Sequence, residues 1–462
     1  MKSVFKNIER FYFIGIGGIG MSNLARYFMA GGFEVAGYDK TPGLITGALI
    51  NEGIDVVFED STGVIPERYA DLTGKGSVVV VYTPAVPASN SILNYFRVNG
   101  FRVEKRAAIL GVLSTGYRTL AIAGTHGKTT ISTITAHLLK QSAVDCSAFL
   151  GGIARNYNTN LLLGEGGVAV MEADEYDRSF HHLEPSAAVI SSLDADHLDI
   201  YGTHEVMIDS FRIFSEKIKH GGALFLHRSV YDLIPSPESV DKFSYGVEDG
   251  SDYQARNIEL CDGYYQFDIQ TPDQLVANLR LPLPGMVNIE NCTAATAISL
   301  WAGVTPEEIR KSLIYFKGVV RRFDIRFNDG KRIYIDDYAH HPGEIDAFIK
   351  AVRDFFPGRK ITGIFQPHLY TRTRDNAEGF ACSLDKLDEI ILLPIYPARE
   401  EPIDGVNSEM IMALMKNPKK RIVEMSDVVD TLDWDNTEIV VTIGAGDIDR
   451  LVDKLENRIR IK

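Results

Sequence analysis

Residues 118–130 read Arg-Thr-Leu-Ala-Ile-Ala-Gly-Thr-His-Gly-Lys-Thr-Thr. An apolar strand runs into a glycine-bounded turn, and the residues after Lys128 take up a helical period. Such a turn aims backbone N–H groups at anionic oxygens, and the helix N-terminus adds positive potential. Gly124, Thr125, His126, Gly127, Lys128, Thr129 and Thr130 are therefore read as an ATP phosphate cradle. Lys128 can reach the β- and γ-phosphates, and the Thr129 hydroxyl can ligate Mg2+. The loop is shorter than the common Walker spacing, because Ile122 and not glycine stands six places before Lys128. That argues against an ordinary P-loop GTPase or motor.

The same design occurs twice more. Phe11–Ile14 runs into Gly15-Ile-Gly-Gly-Ile-Gly20, and Ile439–Ile443 runs into Gly444-Ala-Gly-Asp447. Three strand-turn-helix patterns predict an α/β protein with mainly parallel sheets. The 462 residues match about three domains at roughly 150 residues each. The expected divisions are residues 1–105, 106–315 and 316–462.

Gly15, Gly17 and Gly20, with Gly18 between them, satisfy G-x-G-x-x-G after a strand. Asp39 ends the next strand about 20 residues on, where a ribose-binding acid would sit. Alone, this pattern reads either as a nucleotide-diphosphate pocket or as a tight turn without ligand. Two phosphate-type loops in one chain point to two different phosphorylated ligands. An NAD-dependent oxidoreductase would leave the second loop idle.

A formal net charge of −14 provides no global electrostatic footprint for nucleic acid, so small phosphorylated ligands fit better. No segment approaches bilayer-spanning length, and a cytoplasmic protein without membrane insertion is expected. Cys146, Cys261, Cys292 and Cys382 are scattered without a CxxC pair, which suits reduced, buried thiols.

Carboxylates gather where strands end. Val168–Met171 delivers Glu172, with Asp174, Glu175 and Asp177 behind it, and a second strand, Ala187–Leu193, delivers Asp194, Asp196 and His197. Ligands at the carboxyl ends of neighbouring strands converge on one crevice, so Glu172, His197 and Thr129 can surround Mg2+ ions on ATP. In the third region, Ile335–Glu344 contributes Asp336, Asp337, Tyr338, His340 and His341, and Phe365–Arg374 adds Arg372 and Arg374. Those two arginines can clamp a carboxylate or a phosphoryl group. Arg321 and Arg322, at the junction before this region, can lend charge to the ATP site.

The stretches GIGGIGMSNLA (15–25), AGTHGKTT (123–130), EADEYDRSF (172–180), DADHLDIY (194–201), PGMVNIEN (284–291), GVVRRFD (318–324), DDYAHHPGEI (336–345), FQPHLYTRT (365–373) and GAGDI (444–448) follow one another in the order found in the bacterial Mur ligases. The chain resembles that family throughout its length, and most of all its alanine-adding branch. The resemblance implies three domains: a Rossmann-like N-terminal domain for UDP-N-acetylmuramate, a central P-loop ATPase-type domain and a Rossmann-like C-terminal domain for the incoming amino acid, here L-alanine. It implies ligation of L-alanine to the sugar nucleotide through an acyl phosphate, a step of peptidoglycan precursor synthesis, with a ligase for a ready-made murein tripeptide as the alternative.

Carried over by position, the resemblance implies that Lys128 holds phosphates, Thr129 and Glu172 hold one Mg2+, and Glu172 with His197 serves a second. It assigns Asn288 and Asn291 to ATP, together with Arg321 or Arg322 and Asp336 or Asp337. Tyr338, His340 and Arg372, helped by Arg374, would receive the amino acid. The sequence departs from the family at Leu369, where an arginine is frequent, at Tyr176 and Arg178, where Ser and Gly are usual, and at Val287, a frequent His. The base that takes the amine proton stays open among His340, His341 and Asp337.

Overall fold

The computed structural model describes residues 5–195, 198–261, 263–398 and 400–461. The chain forms three α/β sheets, as the three strand-turn-helix patterns predict. β1 (Arg10–Ile14), β2 (Glu34–Tyr38), β3 (Asp55–Val57), β4 (Val78–Tyr82) and β5 (Arg102–Lys105) make an all-parallel sheet in the order β3-β2-β1-β4-β5. The run Val78–Val81 is buried throughout, the pattern of a strand covered on both faces. The strand order reverses between β1 and β4, and such a reversal opens a crevice at the carboxyl ends. Gly15 lies in it at φ +85°, and a Cβ there would come 2.9 Å from Thr83 Cγ2, so any larger residue would be strained and crowded.

The second sheet contains β6 (Arg118–Ala123), β7 (Ser147–Ala154), β8 (Thr159–Leu162), β9 (Val168–Glu172), β10 (Ala187–Ile190), β11 (Ala223–His227), β12 (Asp241–Gly246), β13 (Tyr253–Cys261), β14 (Tyr264–Gln270) and β15 (Leu275–Leu281). Their order is β15-β14-β13-β12-β11-β10-β6-β9-β7-β8. β6 lies between β9 and β10, parallel to both, with Ile122 opposite Glu172 and Ala123 opposite Ile190. β10 stops at Ile190, short of the expected Leu193. The next two residues turn onto the phosphate loop, where Ser191 N–H donates to Ala123 O at 3.1 Å and Thr125 N–H donates to Ser192 O at 3.1 Å.

One hydrophobic core serves both sheets, running from Phe11, Phe13 and Phe28 through Ile109 and Leu113 to Phe149, Ala121 and Leu224. Phe11 and Phe28 stack at 3.7 Å, and Tyr27 packs on Phe149 at 5.0 Å. Arg26, Asn23 and Asn160 add polar ties between the sheets, including Asn23 Nδ2 to Leu150 O at 3.2 Å and Asn160 Nδ2 to Ile19 O at 2.6 Å. Met1–Ile258, Gln266–Leu281 and Glu290–Phe316 accordingly cluster as one compact unit, and Glu259–Tyr265, Pro282–Ile289 and Lys317–Lys462 as another.

The second unit carries β16 (Asp324–Asn328), β17 (Ile333–Asp337), β18 (Ile361–Phe365), β19 (Glu389–Leu392), β20 (Lys420–Ile422) and β21 (Ile439–Ile443) in the order β16-β17-β21-β18-β19-β20. All neighbours are parallel except the β16 edge. β17, β21 and β18 are adjacent, so Asp337, Gly444 and Gln366 leave the sheet side by side. Among the described residues no disulfide forms: Cys146 and Cys292 are buried, Cys261 is half-buried, and Cys382 is exposed, contrary to the expectation of four buried thiols. No described helix is long and apolar enough to cross a membrane.

Candidate active site

The phosphate loop joins β6 to the helix Lys128–Lys140. Gly127 caps that helix with left-handed backbone at φ +80°, and a Cβ on it would meet Asn291 Oδ1 at 2.6 Å. Asn291 is thereby set against the loop, on the helix Met286–Ala302. Ser192 holds the loop from the β10 side: its Oγ accepts from His126 N–H at 2.8 Å and is 2.9 Å from Thr125 Oγ1. Thr125 Oγ1 in turn accepts from Asp194 N–H at 3.1 Å.

Lys128 folds back over its own loop. Its Nζ donates to Gly124 O at 2.6 Å and pairs at 2.8 Å with Glu175, which is 1% exposed. Burial opposes the ammonium charge, but the carboxylates of Glu175, Asp174 and Glu172 outweigh it and hold the pKa above the ordinary lysine value. Lys128 is therefore a charged donor at neutral pH. Glu172, at the end of β9, accepts from Thr129 Oγ1 at 3.3 Å, Ser132 Oγ at 3.4 Å and Gly151 N–H at 3.2 Å. A Cβ on Gly151 would fall 2.3 Å from both carboxylate oxygens, so that position is cleared for Glu172. Oxygen donors from Thr129 and Glu172 suit Mg2+. Asp196 and His197 lie outside the described residues.

In the first sheet, Asp39 is turned into the glycine loop, accepting from Gly17 N–H at 2.8 Å and Thr41 N–H at 3.1 Å. A Cβ on Gly20 would come 2.2 Å from Arg106 Nη1, and Arg106 also bonds Asp174 Oδ2 at 3.0 Å. Arg106 thus presents a cation between the first glycine turn and the acidic motif. Asp177 and Arg178 both take φ +53°, a conformation in which the family's glycine is unstrained, and the Arg178 guanidinium lies 5.3 Å from the centroid of the Tyr201 ring.

In the second unit, Asp336 is buried, accepts from Thr442 Oγ1 at 2.6 Å and sits 3.4 Å from Arg321 Nε. Asp337 accepts from Phe323 N–H and Ala339 N–H, each at 2.7 Å, and burial pushes its pKa up to about 6. Arg321 donates to Gly444 O and Gly446 O, which commits it to the third glycine turn. Arg322 lies 5.0 Å from the centroid of the Tyr338 ring. His340 Nδ1 donates to Tyr338 O at 3.0 Å, its backbone N–H donates to Glu344 at 3.0 Å, and burial lowers its pKa, so the ring is neutral with Nε2 as acceptor. Arg372 donates to His368 Nδ1 at 3.2 Å, and the His340 and His368 rings are 6.3 Å apart. Tyr338, His340 and Arg372 therefore gather with His368. Arg374 is exposed and pairs instead with Asp375 at 2.7 Å. Asn288 Nδ2 donates to Pro284 O at 2.6 Å.

Sequence reasoning missed Glu175 as the Lys128 counter-ion, Arg106 beside Gly20, and Ser192 beneath the loop; only the acidic run 172–177 hinted at the first. Glu175→Gln is expected to lower stability by about 1–3 kcal/mol without nucleotide, because Lys128 loses a buried counter-charge. ATP phosphates can replace that charge, so the ATP-induced rise in melting temperature should be larger in the variant than in the parent. Scanning fluorimetry with and without Mg·ATP checks this, and a smaller rise would remove Glu175 from that role.

A phosphate loop beside the acid-bearing end of β9, in a chain with two further α/β sheets, is the arrangement of a nucleotide-binding enzyme. Three family models match in series: Mur ligase family, catalytic domain (residues 10–118), Mur ligase middle domain (122–299), and Mur ligase, glutamate ligase domain (321–446). The chain belongs to the Mur ligase family. It is 49% identical over 446 residues to the UDP-N-acetylmuramate–L-alanine ligase of Parabacteroides distasonis, covering 96% of each chain. It is 51% identical to that of Porphyromonas gingivalis, covering 96% of this chain and 98% of the relative. The crystal structure of UDP-N-acetylmuramate–alanine ligase MurC from Thermotoga maritima superposes with a TM-score of 0.83 at 25% identity, covering 98% of this chain and 99% of that one. A murein peptide ligase from Psychrobacter arcticus shares the fold at a TM-score of 0.71 and 21% identity, covering 98% of each chain.

Proposed function

We propose that the protein is an ATP-dependent ligase that joins L-alanine to the lactyl carboxylate of UDP-N-acetylmuramate. The observation that carries this reading is 49–51% identity, over nearly the whole chain, to ligases of that specificity. The sugar nucleotide binds residues 1–105, with Gly15, Gly17, Gly18 and Gly20 admitting the diphosphate and Arg106 adding charge. ATP binds residues 106–315, and the amino acid binds residues 316–462.

The chemistry follows from two anions that must meet. A carboxylate oxygen of the muramoyl group attacks the γ-phosphorus of ATP, the bond to the β,γ-bridging oxygen breaks, and ADP leaves with an acyl phosphate formed. Lys128 and the loop N–H groups stabilise the charge on the transferred phosphoryl. Thr129 and Glu172 would hold Mg2+, with His197 proposed at a second ion; bound there, the metal would neutralise charge between the two anions. The alanine nitrogen then attacks the acyl carbon and phosphate departs. Of His340 and Asp337, His340 is the proposed acceptor for the amine proton: its Nδ1 faces Tyr338 O, which leaves Nε2 as the ring's acceptor, whereas both Asp337 oxygens already accept backbone N–H groups. Arg322, with Arg321 committed to Gly444 and Gly446, is the guanidinium of that pair offered to phosphate.

Phosphate release with ATP, UDP-N-acetylmuramate and a panel of L-alanine, glycine, L-serine, D-alanine and L-Ala-γ-D-Glu-diaminopimelate tests the reading. Release should require all three substrates and be fastest with L-alanine. Faster turnover with the tripeptide would make the protein a recycling ligase instead.

A further inference from the structure

Away from the phosphate loop, His227 at the end of β11, Glu248 in the turn after β12 and Glu290 on the helix Met286–Ala302 converge. One ligand atom from each lies within 4.8 Å of the other two. His227 Nε2 is sealed from solvent without a hydrogen-bond partner, and Glu290 Oε1 stands 3.4 Å from it. The other ring nitrogen, Nδ1, is 2.8 Å from Ser229 Oγ and accepts from Ser229 N–H at 3.3 Å, contacts that fix the ring while Nε2 faces the carboxylates. Glu248 is folded over Gly246, where a Cβ would fall 2.4 Å from Glu248 Oε2, so a side chain at 246 would displace that carboxylate. The His227 ring also packs edge-on to Tyr245 at 5.5 Å, which restricts its rotation.

From this geometry we infer that His227, Glu248 and Glu290 form a binding site for a transition-type divalent cation of the Zn2+ class, separate from the residues proposed to hold Mg2+. One imidazole and two carboxylates match the donor preference of Zn2+, Mn2+ or Co2+ more closely than that of Mg2+. Even at the widest spacing, a point equidistant from three atoms 4.8 Å apart is roughly 2.8 Å from each, so shifts of about 0.7 Å reach bonding distance. Nδ1 here accepts the Ser229 backbone N–H, so binding requires the ring proton to shift to Nδ1 and be donated to Ser229 Oγ at the expense of that backbone bond, giving the usual arrangement for a metal-bound imidazole. The ion would tie the ends of β11 and β12 to the helix that sets Asn291 against Gly127, stiffening one wall of the phosphate loop.

The test uses the full-length chain without nucleotide, in excess Mg2+ to occupy hard-oxygen sites, titrated with Zn2+ by calorimetry and with Co2+ by visible absorption. One ion per chain should bind with micromolar or better affinity, and the Co2+ spectrum should lack a thiolate charge-transfer band. His227→Ala and Glu290→Gln should abolish binding. Ser229→Ala should weaken it by about 10–100-fold, the usual cost of losing a partner behind a ligand. Glu248→Gln, at an exposed turn, provides a variant that tests the site without disturbing the core, and should weaken binding at least as much. No binding up to about 100 μM Zn2+, a thiolate band, or unchanged affinity in Glu248→Gln and His227→Ala would overturn the proposal.

Discussion

Lys128→Ala is expected to lower the rate of ADP formation by at least 10²–10³-fold, the usual cost of removing one preorganised group that stabilises developing charge. The affinity for UDP-N-acetylmuramate should change little, because that ligand is assigned to the first sheet. The substitution also leaves Glu175 buried beside an empty position, and breaking a buried pair costs about 3–5 kcal/mol unless the remaining acid protonates. Activity and folding must therefore be separated. Lys128→Ala combined with Glu175→Gln removes both charges and should regain most of the lost stability while remaining inactive. ADP release by coupled assay, alongside thermal melts of both variants, distinguishes the two effects. Activity above about a tenth of the parent's in either variant would refute the assignment of Lys128 to the phosphates.

Much of this arrangement was legible because strand-turn-helix units have strong local signals. The turn at 124–127 follows a buried strand, and the neighbouring β9 ends in an acid, so parallel pairing alone brings Ile122 beside Glu172. What stayed hidden depends on partners distant in sequence. Asp39 fits the spacing of a ribose-binding acid, yet in the fold it accepts the N–H of Gly17, a contact decided by how the turn closes. Arg321 and Arg322 are adjacent and identical in type. Only packing separates them: both guanidiniums lie over the Tyr338 ring, at 5.1 and 5.0 Å, but Arg321 in addition donates to the carbonyls of Gly444 and Gly446. Arg106 lies outside every quoted motif, and Glu175, though inside the acidic motif at 172–180, had no role of its own there; each acquires its meaning from a neighbour 68 or 47 residues away. The shared core of the first two sheets was equally unreadable, because a helix such as Arg106–Thr115 looks the same whether it closes one layer or joins two.

Amino-acid selection exposes the reading of the third sheet most directly. With leucine at 369, where an arginine is frequent, the alanine carboxylate is proposed to rest chiefly on Arg372, which lies among Tyr338, His340 and His368. Arg374 points to Asp375 at the surface and contributes little. A planar guanidinium can grip a carboxylate with two parallel N–H bonds, and lysine keeps the charge but loses that geometry. A charge-assisted hydrogen bond contributes about 1.5–3 kcal/mol, so Arg372→Ala should raise the KM for L-alanine on the order of 10–100-fold, with Arg372→Lys only partly restoring it. The KM values for ATP and UDP-N-acetylmuramate should stay within about twofold, because interactions lost in one substrate's binding leave the others' intact. Arg374→Ala should be near neutral for all three. Steady-state kinetics with each substrate varied in turn measures the split. Equal changes in all three KM values for Arg372→Lys, or an Arg374→Ala effect as large, would move the carboxylate anchor away from Arg372.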